Sequence, residues 1–199
     1  MKKILIIRFS SIGDIVLTTP VIRCVKKQVA GAELHFLTKP SFAGILKNNP
    51  FVDKVIVLND DLNVTLDELK KENYDFVVDL HHNARSFRVK LSLGKPSASF
   101  NKLNVEKWLL VNLKIDRMPT AHIVERYMET VDSLNVHYDG AGLDFFIPAE
   151  DEITIQNFAA PWKDGYVAMV IGAKHFTKKM PDTKLVELIN QMKLPVILI

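Results

Sequence analysis

The residues best suited to chemistry lie in the segment Arg8-Phe9-Ser10-Ser11-Ile12-Gly13-Asp14, which directly follows an apolar run over residues 4–7. Ser10 and Ser11 supply hydroxyls, and Gly13 is expected to let the backbone turn tightly and a ligand approach. Asp14 could act as a general base that takes a proton from a hydroxyl. It could also be an ordinary helix N-cap, which spacing alone favours.

This first loop does not match the two most common phosphate-binding loops. It lacks the three-glycine pattern of a dinucleotide-binding loop, and no Gly-Lys-Ser/Thr follows as in a Walker loop. The segment therefore indicates neither NAD-type nor Walker-type nucleotide binding.

A second polar cluster, His81-His82-Asn83-Ala84-Arg85-Ser86, follows an apolar run over residues 76–80. The histidine pair invites a metal interpretation. No further His, Cys or carboxylate lies at ligand spacing nearby, so we expect no metal and a solvated or substrate-facing pair. Arg85, with Arg88 and Lys90, forms a basic stripe. The stripe is either a solvated helix face or a binder of carboxylate and phosphate groups.

A third segment, residues 170–182, has a glycine loop followed by Thr177, Lys178 and Pro181. A proline near a helix start is physically sensible, and a lysine before a helix N-terminus could meet a diphosphate. Thr177 is a weaker candidate for a phosphate contact. The plainer alternative is an exposed lysine pair.

The elements that must position these residues follow an alternating pattern. Short apolar runs alternate with amphipathic segments, which predicts an α/β fold with a parallel, Rossmann-like sheet. The predicted strands of the first part are 4–7, 33–38, 55–58, 76–80 and 96–100, and the predicted helices are 14–29, 41–47, 65–72 and 84–92. Helices 105–113 and 122–134 and a strand over 143–147 follow. A second alternation comprises strand 166–171, loop 172–181, helix 182–192 and strand 196–199.

This pattern predicts two domains. We expect a Rossmann-like domain over residues 1–150, a linker over 151–164 and the beginning of a second Rossmann-like domain over 165–199. A buried parallel strand needs partners on its sheet, so an apolar run at the C-terminus favours a truncated second domain over a short edge strand.

Composition narrows the class of protein. The net charge of +3 is too small to indicate nucleic acid, but it suits an acidic substrate or an anionic membrane surface. The single cysteine, Cys24, permits no internal disulfide and is expected to be a buried residue in a reducing compartment. No secretory leader or membrane-spanning segment is evident, which predicts a cytoplasmic protein whose membrane contact would be peripheral.

Three of these motifs together resemble glycosyltransferase family nine, the ADP-heptose:lipopolysaccharide heptosyltransferases. The first carries Ser10-Ser11-Ile12-Gly13-Asp14 and then Thr18-Thr19-Pro20 after an apolar strand; the others contribute Asp79, Asn83, Arg85, Ser86, Lys178 and Pro181. His81, His82 and Met180 stand where the family usually has glutamine, glycine and tryptophan. The resemblance spans essentially the whole chain but little more than half of a full family member.

The resemblance implies a GT-B fold, in which an N-terminal domain holds the acceptor and a C-terminal domain holds the sugar nucleotide. It implies that Asp14 is the catalytic base and that Lys178 neutralises the donor phosphates, with no metal and no cofactor. Around the acceptor we expect Ser10, Ser11, Gly13, Asn83 and Arg85.

The predicted function is an inverting transfer of heptose from ADP-heptose to a lipid-linked lipopolysaccharide core saccharide at the inner face of the inner membrane. Nucleic acid is not expected as a partner. One alternative is a transferase of the same fold that uses another sugar nucleotide. Another is a non-catalytic module that binds an anionic glycan or lipid. Residues 1–199 alone are expected to bind donor poorly and to have negligible turnover.

Overall fold

The computed structural model describes residues 2–154, 162–173 and 176–199. The chain forms two compact units, Met1–Ile147 and Pro148–Ile199. The predicted linker over 151–164 and the predicted loop over 172–181 both lie partly outside the described residues.

The first unit contains a five-stranded sheet made of β1 (Lys3–Ile7), β2 (Glu33–Thr38), β3 (Lys54–Val57), β4 (Phe76–Asp79) and β5 (Ser97–Ser99). All neighbours pair in parallel, in the order β3-β2-β1-β4-β5. The central strand is completely buried from Ile4 to Ile7, as expected for a parallel strand covered on both faces. The predicted parallel α/β sheet is confirmed.

Helices connect these strands. Two follow β1, one follows β3, one follows β4 and two follow β5: α1 (Ile12–Val16), α2 (Thr19–Gln28), α3 (Leu62–Lys71), α4 (Ala84–Leu93), α5 (Asn104–Trp108) and α6 (Ile123–Met128). Shorter turns complete the unit: 3₁₀ turns at Pro40–Ile45 and Glu129–Leu134, and a π-helical turn at Leu109–Leu113.

Two hydrophobic cores form because side chains alternate across β1. Ile4 and Ile6 belong to one cluster, which α2 and α6 supply with residues such as Val25 and Tyr127. Leu5 and Ile7 belong to the other, which α3 completes. Cys24 lies in the first cluster, which confirms the prediction that it is a buried residue.

The predicted helix over 14–29 is instead two helices, α1 and α2. Pro20 has no amide hydrogen for the carbonyl of Val16, so one continuous helix would lose that bond. The Thr19 hydroxyl donates to the Val16 carbonyl at 2.7 Å, and the Thr18 hydroxyl donates to the Ile15 carbonyl at 2.7 Å. At the break between α1 and α2, these two carbonyls therefore accept hydrogen bonds from side-chain hydroxyls.

The predicted strand over 143–147 is wrong, because the structure has no strand there. The segment is apolar except for Asp144, but Leu143, Phe145 and Ile147 are exposed. Side-chain bonds hold the segment instead of a β ladder: the Asp144 amide donates to the Thr19 hydroxyl at 2.9 Å.

A buried arginine fastens this same segment to α2. Arg23 is 2% exposed, and its guanidinium donates to both carboxylate oxygens of Asp139, at 2.8 and 2.7 Å. It also donates to the Gly142 carbonyl at 2.9 Å and pairs with the Asp144 carboxylate. The loop over 139–144 thus depends on one charge cluster.

The second unit is a parallel βαβ arrangement. Strand β6 (Val167–Met169) pairs in parallel with β7 (Val196–Leu198), and α7 (Asp182–Asn190) lies between them in the chain. Short 3₁₀ turns occur at Ala149–Asp151, Trp162–Asp164 and Phe176–Lys178. Within the described part of the chain, no helix has the length and apolar character needed to cross a membrane.

Candidate active site

The strand order reverses between β1 and β4, which creates a topological switch point. From β1 the chain adds β2 and β3 on one side, while β4 and β5 lie on the other. In open parallel sheets, ligands bind outside the carboxyl ends of strands at such a point. The loops after β1 and β4 leave the sheet together there, as the pairing of Ile7 with Asp79 requires.

Asp14 lies in the loop region after β1, in the first turn of α1. Ser11 is the N-cap residue, so the interpretation of Asp14 as the N-cap is wrong. One carboxylate oxygen, Oδ2, accepts from the Ser11 amide at 3.1 Å and from the Ser11 hydroxyl at 2.9 Å. The same oxygen pairs with Arg8 Nη2 at 2.7 Å. Oδ1 has no hydrogen-bond partner among the described residues, and the side chain is 39% exposed.

Arg8 is a central residue of this site that the sequence interpretation gave no role. Besides pairing with Asp14, it donates through Nη1 to the Leu80 carbonyl at 2.6 Å and to the Tyr127 hydroxyl at 3.1 Å. Its Nε donates to the Ser10 carbonyl at 2.8 Å. Arg8 therefore joins both loops at the switch point to α6. An arginine directly after a fully apolar strand was the available signal, since a buried cation needs partners.

The surroundings keep Asp14 ionised. Partial burial raises the pKa of Asp14, but the Ser11 amide and the Arg8 charge together lower it by more, so the pKa lies below its ordinary value. A carboxylate that is to accept a proton must be ionised beforehand, and at neutral pH this one is.

Gly13 does not play the conformational role expected from the sequence. It lies within α1 and its φ is not in the left-handed region, so the predicted tight turn at Gly13 is wrong. A Cβ added there would meet no atom within 4 Å. The open space beside Gly13 is compatible with the expected approach of a ligand.

The second loop is organised by the buried carboxylate of Asp79. It accepts from the amides of His81 and His82 at 3.0 and 2.7 Å and from the Ser86 hydroxyl at 2.8 Å. Lys90 lies 3.2 Å from this carboxylate. The predicted basic stripe is therefore wrong for Lys90, because a buried carboxylate needs a nearby cation.

Arg85 and Arg88 remain exposed on α4. Asn83, by contrast, is the N-cap of that helix: its side-chain oxygen accepts from the Ser86 amide, and its own amide donates to the Ser86 hydroxyl, both at 2.9 Å. Asn83 therefore stabilises the start of α4, and its contact with an acceptor stays a prediction.

His82 stands where the resemblance predicts a glycine, and its backbone has a conformation that suits glycine. Its φ is +48°, in the left-handed region that favours glycine. The ring offsets this conformation, since Nδ1 lies 2.6 Å from the Phe100 carbonyl and must carry the proton there.

His81 is held as a neutral ring. It packs against Phe9 with ring centroids 4.7 Å apart, and its buried Nδ1 has no hydrogen-bond partner among the described residues. Burial, together with the charges of Arg8 and Lys102, lowers the pKa of His81 to about 4. Neither histidine belongs to a group of described side chains spaced to hold a metal ion.

One described group does have metal-like spacing: Glu33, His35 and Glu72 bring ligand atoms within 4.8 Å of one another. The carboxylates are already paired with lysines, since Lys3 Nζ lies 2.8 Å from Glu72 and 3.1 Å from Glu33. The His35 ring is hydrogen-bonded to both Tyr74 and Glu33. Lys54 Nζ also lies 2.8 Å from Glu72, so the carboxylates of this group are already balanced by lysines and the group is an ion-pair network.

In the second unit, Thr177 and Lys178 lie in the exposed 3₁₀ turn Phe176–Lys178. Both line an open concavity of about 960 Å³ whose other walls include the apolar side chains of Met169, Ile171 and Leu185. The structure therefore brings the two predicted phosphate-binding residues to one surface depression.

Comparison with known proteins gives consistent relatives, although no protein-family model matches the chain. The chain is 31% identical over 154 residues to lipopolysaccharide heptosyltransferase 1 of Campylobacter coli. The aligned residues make up 72% of this chain and 45% of the relative. Among solved structures, a glycosyl transferase family 9 protein from Veillonella parvula has a TM-score of 0.68 at 18% identity, over 99% of this chain and 69% of that chain. E. coli heptosyltransferase WaaC with ADP has a TM-score of 0.65 at 19% identity, over 98% and 67% of the two chains.

The parallel sheet with its switch point and the second parallel βαβ unit define an α/β fold of the GT-B type, which the similar structures share. The sequence match is more specific. The chain belongs to glycosyltransferase family nine, the heptosyltransferases. It spans 45% of the length of the curated relative.

Proposed function

We propose that the chain is the acceptor-side part of an inverting glycosyltransferase that moves heptose from ADP-heptose to a lipopolysaccharide core acceptor. The observation that carries this proposal is the ionised carboxylate of Asp14, which is oriented at the switch point through Oδ2 while Oδ1 stays open. Two relatives support the substrates: one is named a lipopolysaccharide heptosyltransferase, and the similar WaaC structure contains ADP.

In the proposed reaction, Asp14 takes the proton from an acceptor hydroxyl as its oxygen attacks the anomeric carbon of the heptose. The bond from that carbon to the diphosphate oxygen breaks on the opposite face, so configuration inverts and ADP leaves. Arg8 and Ser11 hold the carboxylate in one orientation during this step. Such positioning lowers the barrier because the base is already ordered before the acceptor arrives.

The departing diphosphate gains negative charge, and we assign its neutralisation to Lys178, with Thr177 as a further contact. No metal or cofactor has a step in this proposal. On the acceptor side, exposed Arg85 is suited to a phosphate or carboxylate through its two-pronged geometry. Ser10 and Ser11 shape the loop, Gly13 leaves room beside it, and Asn83 orders the start of α4.

The donor assignment is tested with the full-length protein and a lipid-linked core acceptor. We expect ADP-heptose to support transfer at least about tenfold faster than a panel of UDP- and GDP-sugars, because recognition of the base and sugar is lost with the others. Product formation and nucleoside diphosphate release are both measured. A UDP- or GDP-sugar that matches ADP-heptose would contradict this donor. Glycan binding without transfer from any donor would identify a binding module instead.

Lys178→Ala in the full-length protein should lower kcat for transfer by about 10²-fold, the cost of removing one group that stabilises developing charge. Folding should be unaffected because Lys178 is exposed. Lys179→Ala is the matched control, since it removes the adjacent exposed ammonium. Equal effects of the two variants would show that only general positive charge matters, against a specific role for Lys178.

We also propose that the whole protein works at the inner face of the inner membrane, where a lipid-linked acceptor is presented. Its contact with that membrane would be peripheral. A mild excess of positive charge on the chain supports this location, because the facing lipids are partly anionic.

A further inference from the structure

Positive charge is concentrated in one part of the chain, residues 84–117. This stretch contains eight basic and two acidic side chains, an excess larger than the net charge of +3 of the whole chain. The remainder of the chain is therefore net acidic. The basic residues are Arg85, Arg88, Lys90, Lys95, Lys102, Lys107, Lys114 and Arg117, of which Lys90 is paired with the buried Asp79 outside the stretch.

The same stretch exposes large apolar side chains at high density. Trp108 is 57% exposed and Val111 is 65% exposed, within α5 and the π-helical turn. Four further apolar side chains between positions 105 and 115 are also exposed: Val105, Leu110, Leu113 and Ile115. Single exposed apolar residues are ordinary, but a contiguous group marks an interaction surface.

Helix α4 adds a second exposed apolar pair. Phe87 and Leu91 are 57% and 72% exposed and lie four residues apart, so they share one face of the helix. Exposed Arg88 lies between them in the sequence, and Arg85 precedes them. Aliphatic, aromatic and basic side chains are thus combined on α4 as they are on residues 104–117.

Both elements belong to the β5 edge of the sheet. Helix α4 leads into the edge strand β5, and residues 101–117 leave that strand at its carboxyl end. The loop of His81 and His82 leaves the neighbouring strand β4 at its carboxyl end as well, and the His82 ring is hydrogen-bonded to the Phe100 carbonyl. Residues 101–117 therefore begin beside this loop and beside the end of β4 that carries Asp79.

We propose that the exposed face of α4 together with residues 104–117, here called the docking surface, rests on an anionic lipid bilayer; this inference builds on the proposed function. Tryptophan is favoured where a bilayer meets water, and lysine can extend its charge to lipid phosphates while its stem lies on apolar surface. Amphipathic basic segments of this kind lie in the plane of the interface.

The charge argues for this occupant over a second copy of the chain. On the docking surface the basic Arg85, Arg88, Lys107, Lys114 and Arg117 outnumber the acidic Glu106 and Asp116. Pairing the docking surface with itself would therefore bring two net basic surfaces together, and like charges repel. Anionic lipid headgroups complement the same charge. Seating here would also place the bilayer beside the carboxyl ends of β4 and β5, where a lipid-linked acceptor must present its hydroxyl.

The test is sedimentation of the full-length protein with vesicles of phosphatidylcholine alone or mixed with phosphatidylglycerol. We expect binding to the mixed vesicles that weakens with salt. Two double variants, Trp108→Ser with Val111→Ser and Lys107→Glu with Lys114→Glu, should each weaken binding about tenfold or more. Matched controls on exposed positions of α3, Val64→Ser and Lys70→Glu with Lys71→Glu, should leave binding unchanged.

Failure to bind the mixed vesicles, or equal binding by the docking-surface variants, would overturn the proposal. So would concentration-dependent dimerisation that those variants abolish, because the occupant would then be a second copy. Transfer to a soluble acceptor without lipid should stay at the wild-type rate in the variants. If the protein binds vesicles through these residues but transfers no sugar, the docking surface is supported and the proposed function is refuted.

Discussion

Under the proposed function, Asp14→Asn should lower the rate of heptose transfer by about 10²–10⁴-fold in the full-length protein, the range expected for loss of a general base. Asparagine has nearly the same shape, and its side-chain oxygen can still accept from the amide and hydroxyl of Ser11. It cannot take a proton at neutral pH. The loss should therefore fall on kcat, measured at saturating donor and acceptor, while the KM for ADP-heptose stays close to that of the wild type.

Stability should change little in this variant. The pair between Asp14 and Arg8 is partly exposed, and Arg8 keeps its bonds to the carbonyls of Ser10 and Leu80 and to the Tyr127 hydroxyl. Thermal unfolding of both proteins checks this point. Asp61→Asn is the matched control, because Asp61 also accepts a backbone amide at a helix start and asparagine caps equally well. A folded Asp14→Asn protein with most of its turnover would remove Asp14 as the base.

The largest effect on stability is expected for Arg23→Met. Methionine replaces the apolar stem but leaves Asp139 and Asp144 without their cation, and breaking a buried pair costs about 3–5 kcal/mol. Both carboxylates are partly exposed, so we expect a value near the lower end, about 3 kcal/mol. Urea unfolding at neutral pH measures the change. Lys27→Met on the same helix is the control, since Lys27 is exposed and should change stability by less than about 1 kcal/mol.

The pH dependence of that difference gives an independent check. The Arg23 hydrogen bonds hold the pKa of Asp139 well below its ordinary value, against a smaller opposing effect of burial. A carboxyl whose pKa is lower in the folded state stabilises the fold above its unfolded pKa of about 3.9 and loses this contribution as the pH falls further. The stability gap between wild type and Arg23→Met should therefore shrink as the pH falls below about 4. A gap that is equal at acidic and neutral pH would show that the ion pair is not its origin.

The central strand of the parallel sheet was predictable because it is fully buried. Residues 4–7 are an uninterrupted apolar run, which is typical of a strand covered on both faces, and the structure has β1 there. The segment over 143–147 is apolar apart from Asp144 and also predicts a strand. It forms none, because a strand also needs a neighbour with free backbone groups, and in the folded chain Asp144 is bonded to side chains of α2.

At the candidate site, too, some features were predictable from the sequence and others were not. Residue order alone predicts which loop carries a carboxylate and that this loop follows a buried strand, because residue type and local order are properties of the chain. The partners of that carboxylate depend on how distant segments pack. Arg8 meets Leu80 and Tyr127, which are 72 and 119 positions away in the chain, and Lys90 faces Asp79 because a buried charge recruits a counter-charge. Such contacts arise when separate elements pack together, so burial, ionisation and orientation at this site depend on the complete fold.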